Sequence, residues 1–375
     1  MKGAGPVRAL IIATAAALVT AIVPACGSSS PTGPDATGAL TPLALTDDWP
    51  SATPAEAGLD LTRIMDLVQR ARAGQYGRIG SLLVVRDDRL VVEEYFNGWS
   101  AERSHTLQSV TKSVTALLTG LAIQSGQLSL QDRVTRYFPQ YEPIPEDTRK
   151  QALTVGDLLT MRSGLDWDES IYSGSPLQRL NECRCDWLRF LLDWPMREGP
   201  GTRWEYISGN TILLGGVVGA ATGRRLDLFA AEALFAPLRV TGDTWVRGLP
   251  DGLPHAGGGL YLRPRDMAKL GAMVLDQGRW QGRTVIQPEL IGLLTSRVTR
   301  GVRNWAGHSF DYGYGWWLTS DGGRDIIAAS GAMGQWILVV PSARLVVVAT
   351  SDDDSRWTAP VEFLSSHLLP SVMTR

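Results

Sequence analysis

An α+β fold is expected from this chain: one antiparallel sheet built from N- and C-terminal strands, flanking helices, and an inserted all-helical lobe. Two observations lead there. Short apolar, β-branched runs lie at 79–95 and again from 314 to 350, while the stretch between them carries helical spacing and caps. Strands from the two ends are joined most economically in one sheet, which leaves the helical middle as an insertion. The 375 residues, 44% hydrophobic and 20% charged, suffice for one large domain or two.

The folded part opens with a helix. Asp60 precedes Leu61, Ile64, Met65, Leu67 and Val68 at helical spacing, and Gly74 ends the run. Strands follow at 79–85 and 90–95 across the polar turn Arg86-Asp87-Asp88-Arg89. A second helix starts at Ser109-Val110-Thr111-Lys112. Val114, Leu117, Leu118, Leu121 and Ala122 share one face, giving an amphipathic reading, and Gly126 stops it. Residues 128–141 read as an irregular connection. Thr154-Val155-Gly156-Asp157 has the form of a capping box opening a short helix through Met161. Residues 165–182 are turn-rich and 187–194 helical. After Gly199-Pro200-Gly201 comes an apolar helix, 211–221, ended by Gly223; another, 226–234, precedes Pro237.

Gly257-Gly258-Gly259 lacks the strand and helix that a phosphate loop requires. A strand end at Tyr261 leads into a helix at 266–276. Strands are expected at 314–318, 325–329, 335–340 and 345–350, the last two joined by Pro341-Ser342-Ala343-Arg344. Residues 358–368 close the chain as a helix. The α/β lobe then comprises 49–107 and 255–375, and the helical lobe 108–254.

Ahead of the domain, Lys2 and Arg8 precede the apolar run 9–23. That run is too short to span a bilayer but suits a signal-peptide core. Val23-Pro24-Ala25-Cys26 resembles a bacterial lipoprotein cleavage site, with Cys26 lipidated; ordinary secretory cleavage is the alternative. Residues 1–25 are thus read as a leader, 26–48 as a flexible tether rich in Ser, Pro, Gly, Thr and Ala, and 49–375 as the domain. An exported, lipid-anchored protein is expected, touching the membrane only through its anchor. Outside the cytoplasm Cys183 and Cys185 are read as a disulfide, two free thiols being the alternative. A net charge of -2 argues against nucleic acid as a partner. No histidine or second cysteine pair lies near these cysteines, so neither a metal nor a cofactor is expected.

Ser109 and Lys112 carry the chemistry. Three residues apart at a helix start, they lie within reach of each other, and the positive end of the helix favours loss of a proton from both. A serine beside a deprotonatable amine is an oxygen nucleophile that needs no histidine. Only four lysines occur, at 2, 112, 150 and 269, in a chain that otherwise uses arginine. Arginine cannot serve as a base, whereas a crowded lysine can. Tyr206 is the second candidate: a phenol near an ammonium is expected to have its pKa lowered and to relay a proton. The third is Ala329-Ser330-Gly331-Ala332, whose backbone N–H groups can face the site.

Several stretches together carry a family resemblance. They are Ser-Val-Thr-Lys (109–112), Leu-Thr-Val-Gly-Asp-Leu-Leu-Thr-Met-Arg-Ser-Gly-Leu (153–165) and Pro-Gly-Thr-Arg-Trp-Glu-Tyr (200–206). Ser-Gly-Asn-Thr-Ile-Leu-Leu-Gly (208–215), Tyr-Gly-Tyr-Gly-Trp-Trp (312–317) and Gly-Gln-Trp-Ile-Leu-Val-Val-Pro (334–341) join them. From about Ala52 onward the chain resembles the serine β-lactamase and penicillin-binding protein-like superfamily. The nearer likeness is to its class C branch, with family VIII carboxylesterases and 6-aminohexanoate-oligomer hydrolases.

The resemblance implies the β-lactamase/transpeptidase-like fold and a serine hydrolase working through an acyl-enzyme. Ser109 would be its nucleophile, Lys112 the base and Tyr206 the proton shuttle to the leaving group. The N–H groups of Ser109 and Ala332 would form the oxyanion hole. Ser208, Ser330, Gly331, Tyr172 and Trp336 would contact a small-molecule ester or amide. Two departures matter: Ser208 stands where asparagine is common, and Ala329 where a Lys or His is usual. The second weakens the case for penicillins and leads to the expectation of a neutral ester or amide, an ester first. The rival reading is a non-catalytic envelope lipoprotein that binds peptidoglycan or a partner.

Overall fold

In the computed structural model the described residues are 40, 42, 49–142 and 147–373; Cys26 and the expected leader lie outside them. Eight strands form one sheet. In chain order they are β1 (Ile79–Arg86), β2 (Arg89–Tyr95), β3 (Thr299–Trp305) and β4 (His308–Tyr312). They continue with β5 (Trp317–Asp321), β6 (Arg324–Gly331), β7 (Gln335–Val340) and β8 (Leu345–Ser351). Their spatial order is β2-β1-β8-β7-β6-β5-β4-β3, antiparallel throughout. The two ends of the chain therefore share one sheet, joined where β1 pairs with β8.

Every residue of β1, β7 and β8 is buried, because both faces of the sheet are covered. Alternate side chains enter different cores. Leu82 and Val84 pack with helix α1 (Leu61–Arg72) and with Phe363 near the C-terminus. Leu83 and Val85 join the core of the helical middle. That core runs without a break from the sheet into helices of the expected helical lobe, including Leu191 and Leu213. Asp60 caps α1 by accepting from the Thr62 and Arg63 N–H groups, and the capping box at Thr154 and Asp157 is present.

Helix α2 (Val110–Gln124) departs from the amphipathic reading. Every residue from Val110 to Ala122 is buried, so it has no solvent face. Its hydroxyls instead satisfy neighbouring backbone: Ser113 donates to the Gly315 carbonyl at 2.7 Å and Thr115 to the Ala256 carbonyl at 2.9 Å. The Leu260 N–H donates to the Thr111 hydroxyl at 3.2 Å. The apolar helix expected from 211 begins earlier, as α3 (Ser208–Thr222).

Two strands of this sheet and several short helices were not expected. β3 reads Thr-Arg-Gly-Val-Arg-Asn-Trp and is mostly exposed at the sheet edge, so it carries no apolar alternation; β4 follows it. The strand expected at 314–318 starts only at Trp317. Ahead of it the Gly313 N–H closes onto the Trp316 carbonyl, and Gly315 has φ +85. Thr148–Ala152, Pro176–Glu182 and Pro288–Leu294 are helices too short for a periodic signal.

Helix α4 (Pro264–Leu275) seats the sheet beneath the site. A Cβ on Gly271 would come within 2.5 Å of Val346 and 2.8 Å of Ile337, so only glycine allows this approach. Arg265 of α4 pairs with Glu93 of β2; both side chains are buried, and Tyr95 donates a further bond to Glu93 at 2.8 Å. Removing one partner leaves a buried charge uncompensated. Glu93→Ala should therefore lower the unfolding free energy by about 3–5 kcal/mol, measured by urea denaturation.

Candidate active site

Ser109 stands at the N-cap of α2 with φ −68 and ψ −6, making no capping bond through its side chain. The preceding residue, Gln108, has φ 46. The hydroxyl is thus free of the backbone and turned toward Lys112, whose Nζ donates to it at 2.9 Å. The same Nζ donates to the Ser208 hydroxyl at 3.0 Å and to the Gly257 carbonyl at 2.7 Å. Lys112 is 2% exposed. Burial pulls its pKa down to about 8, and the charge of Glu169 opposes that shift.

Tyr206 lies in the segment entering α3. Its ring sits 4.9 Å from the Lys112 Nζ, and its side chain hydrogen-bonds to Ser109. The expected direction of its pKa is corrected. Burial raises it, and the bond to Ser109 only partly offsets this. The phenol therefore stays protonated at neutral pH. Trp317, Tyr312 and Trp204 surround it, with ring centroids at 5.4, 6.1 and 6.3 Å.

Ser109 borders two cavities. One, of about 270 Å³, is walled by Tyr206, Trp305, Trp317 and Trp357, with Ser330, Gly331 and Ala332 along one side. The other, of about 550 Å³, holds Glu169, Tyr172, Ser208, His255 and Gly257. Ala332 also lines both. Gly331 brings the end of β6 against the start of α2: a Cβ there would lie 3.1 Å from the Ser109 nitrogen and 3.0 Å from the Gln108 Cβ.

Trp336 corrects the sequence reading. It is fully buried, donates its indole N–H to the Trp357 carbonyl at 2.7 Å, and belongs to the core. It stands opposite Ser330 in the β6–β7 register and packs behind the cavity wall, its ring centroid 5.8 Å from those of Trp305 and Trp357; the wall itself is Trp305, Trp317 and Trp357. Ser208 lines the second cavity, but its hydroxyl is committed to Lys112 and Glu169. Tyr172, exposed, lines that cavity. Ala329 is fully buried, yet the first cavity does not lack charge: Arg303 and Asp354 both line it. Cys183 and Cys185 are bonded to each other.

Sequence reasoning missed Glu169. Its carboxylate accepts from the Ser208 hydroxyl at 2.8 Å, from the Ser208 N–H at 3.0 and 3.1 Å, and from the Trp167 indole N–H at 2.9 Å. It also missed the Gly257 carbonyl. His255 lies nearby with its Nε2 3.1 Å from the Asn181 Oδ1, and burial lowers its pKa to about 4, so it stays neutral.

The family model described as Beta-lactamase matches residues 64–363. The 6-aminohexanoate-dimer hydrolase of Paenarthrobacter ureafaciens is 26% identical over 342 residues, covering 85% of each chain. Esterase EstB of Burkholderia gladioli is 32% identical over 168 residues, 42% of each chain. Among solved structures, EstCE1, a hydrolase with promiscuous acyltransferase activity, superposes with a TM-score of 0.69 at 18% identity. It covers 84% of this chain and 98% of that one, a likeness of fold.

The geometry makes Lys112 the amine to watch in solution. Its side-chain Cε resonance should titrate near pH 8, and Lys112→Arg should remove that signal. Titration near the ordinary lysine value would contradict the burial seen here.

Proposed function

The chain belongs to the beta-lactamase family and is a serine hydrolase, and on that footing we propose that it cleaves a carboxylic ester through a Ser109–Lys112–Tyr206 acyl-enzyme mechanism. The observation that carries this reading is the 2.9 Å contact between the Ser109 hydroxyl and a buried amine, at the junction of two cavities. In its neutral form Lys112 accepts the Ser109 proton as the oxygen attacks the substrate carbonyl. The N–H groups of Ser109 and Ala332 receive the developing oxyanion. Tyr206, held as a neutral phenol, passes a proton to the leaving oxygen and takes one back from the Lys112 ammonium, which restores the neutral amine. Water then attacks the acyl-enzyme and releases the acid. Sharing of Ser109 and Ala332 by both cavities fits one cavity to the acyl group and the other to the leaving group.

Ala329, in the place where the family usually has a cation, supports an ester over a penicillin. A second reading is an amide hydrolase of the 6-aminohexanoate-oligomer type. Arg303 and Asp354, opposite charges on one cavity wall, favour it, because an ω-amino acid unit carries both signs. The apolar run at 9–23 supports export, with Cys26 as the anchor point.

A fluorophosphonate should label Ser109 in the intact protein, and Ser109→Ala should abolish the mass gain. The same variant should lower kcat on a nitrophenyl ester by roughly 10³-fold or more. Because neutral Lys112 is the base, kcat/KM should rise with pH and level off above about 8. Turnover of nitrocefin faster than nitrophenyl butyrate would overturn the ester reading. Faster turnover of an aminohexanoate dimer would select the second one.

A further inference from the structure

The hydrogen bonds around Lys112 have a direction, and the direction is set from outside the proposed triad. Gly257 offers a carbonyl, which can only accept. Ser208 has a single hydroxyl proton. The Glu169 carboxylate also can only accept, and it lies 2.8 Å from the Ser208 oxygen. That proton is therefore held by Glu169, and Ser208 presents only its lone pairs to Lys112 at 3.0 Å. Glu169 is in turn fixed by the Ser208 N–H and by the indole of fully buried Trp167.

A neutral amine has two protons and one lone pair. With Gly257 and Ser208 both requiring a donated proton, the lone pair has one direction left, toward Ser109. We propose that Glu169 is a positioning residue that, by holding the Ser208 hydroxyl proton, aims the lone pair of neutral Lys112 at the nucleophile. This rests on the reading of Lys112 as the base. Without Glu169 the Ser208 hydroxyl can rotate and donate to Lys112 itself, competing with Ser109 for the lone pair. Glu169 has a second effect through charge. It stabilises the ammonium form against burial, so its removal favours the neutral amine at lower pH. The other groups facing Lys112 are Tyr206, raised by burial, and His255, neutral by burial. Arg303 acts at one remove, through Tyr206.

The test is a cycle of variants assayed on a nitrophenyl ester across pH. Glu169→Ala should lower plateau kcat at least tenfold with little change in KM. The double variant Glu169→Ala with Ser208→Ala should be faster than Glu169→Ala alone, because the competing donor is gone. A residue that merely supports the fold gives no such rescue. Glu169→Gln keeps the volume and an acceptor oxygen for Ser208 while removing the charge. It should move the rising limb of kcat/KM to lower pH, and it keeps the test open if Glu169→Ala does not fold. An unchanged limb in Glu169→Gln, or a double variant no faster than Glu169→Ala, overturns the proposal. Failure of the base assignment is separable: the wild-type protein would then escape fluorophosphonate labelling at Ser109, or Lys112→Ala would retain full activity.

Discussion

One buried amine is the constraint around which the chain is arranged. Lys112 is taken out of water and given three acceptors, from the start of its own helix, from α3 and from the Gly257 segment. An ammonium in that position is tolerated only if all three are in place, since an unsatisfied buried charge costs several kcal/mol. The rest of α2 follows from this. Bringing a loop, a helix and the end of β6 onto its first turn buries the helix on every side. Its polar residues must then be satisfied internally, which is why Thr111, Ser113 and Thr115 bond to neighbouring backbone.

The same burial acts in opposite directions on the two titratable partners. Loss of water disfavours charge, and the charged form is the acid for lysine and the base for tyrosine. Lys112 is moved down and Tyr206 up by one physical cause. Near neutrality this brings the amine within reach of its basic form while the phenol keeps its proton. A pair of groups pushed apart in this way divides into a base and an acid without any change of fold. Trp305, Trp317 and Trp357 give the neighbouring cavity an aromatic wall.

The sequence made the ends of the sheet legible because β1, β7 and β8 are buried on both faces and carry apolar runs of four or more residues at their centres. It hid β3, whose exposed edge carries Arg300 and Arg303 and no alternation. Spacing brought Ser109 and Lys112 together, since three residues on a helix fix a distance. Tyr206 was a candidate for its chemistry, and family likeness gave it its place in the mechanism. Glu169 was invisible for a different reason. It stands among Asp166, Asp168 and Ser170 in a turn-rich stretch that reads as solvated surface, and only burial of Trp167 turns it inward. The phenol was misjudged because proximity to an ammonium was counted and desolvation was not. Trp336 was misplaced because it lies one layer beneath the cavity, covered by Trp305 and Trp357 from distant stretches of the chain that spacing beside a motif does not show.

What joins the sheet to the buried amine is a residue without a side chain. Gly331 ends β6 in extended backbone, φ −135, so no left-handed conformation demands glycine there. The demand is one of space: a Cβ would press on Gln108 and on the Ser109 nitrogen. By letting the strand end reach the helix start, Gly331 brings Ala332 to the edge of the same two cavities that Ser109 borders. The site is thus assembled from both ends of the chain. β6 arrives from the C-terminal half, α2 from the N-terminal half, and the register between β1 and β8 fixes one half on the other. A one-residue slip in that register would send the side chains of each core into the other, so the stability of the sheet and the closeness of Ala332 to Ser109 are set by the same pairing.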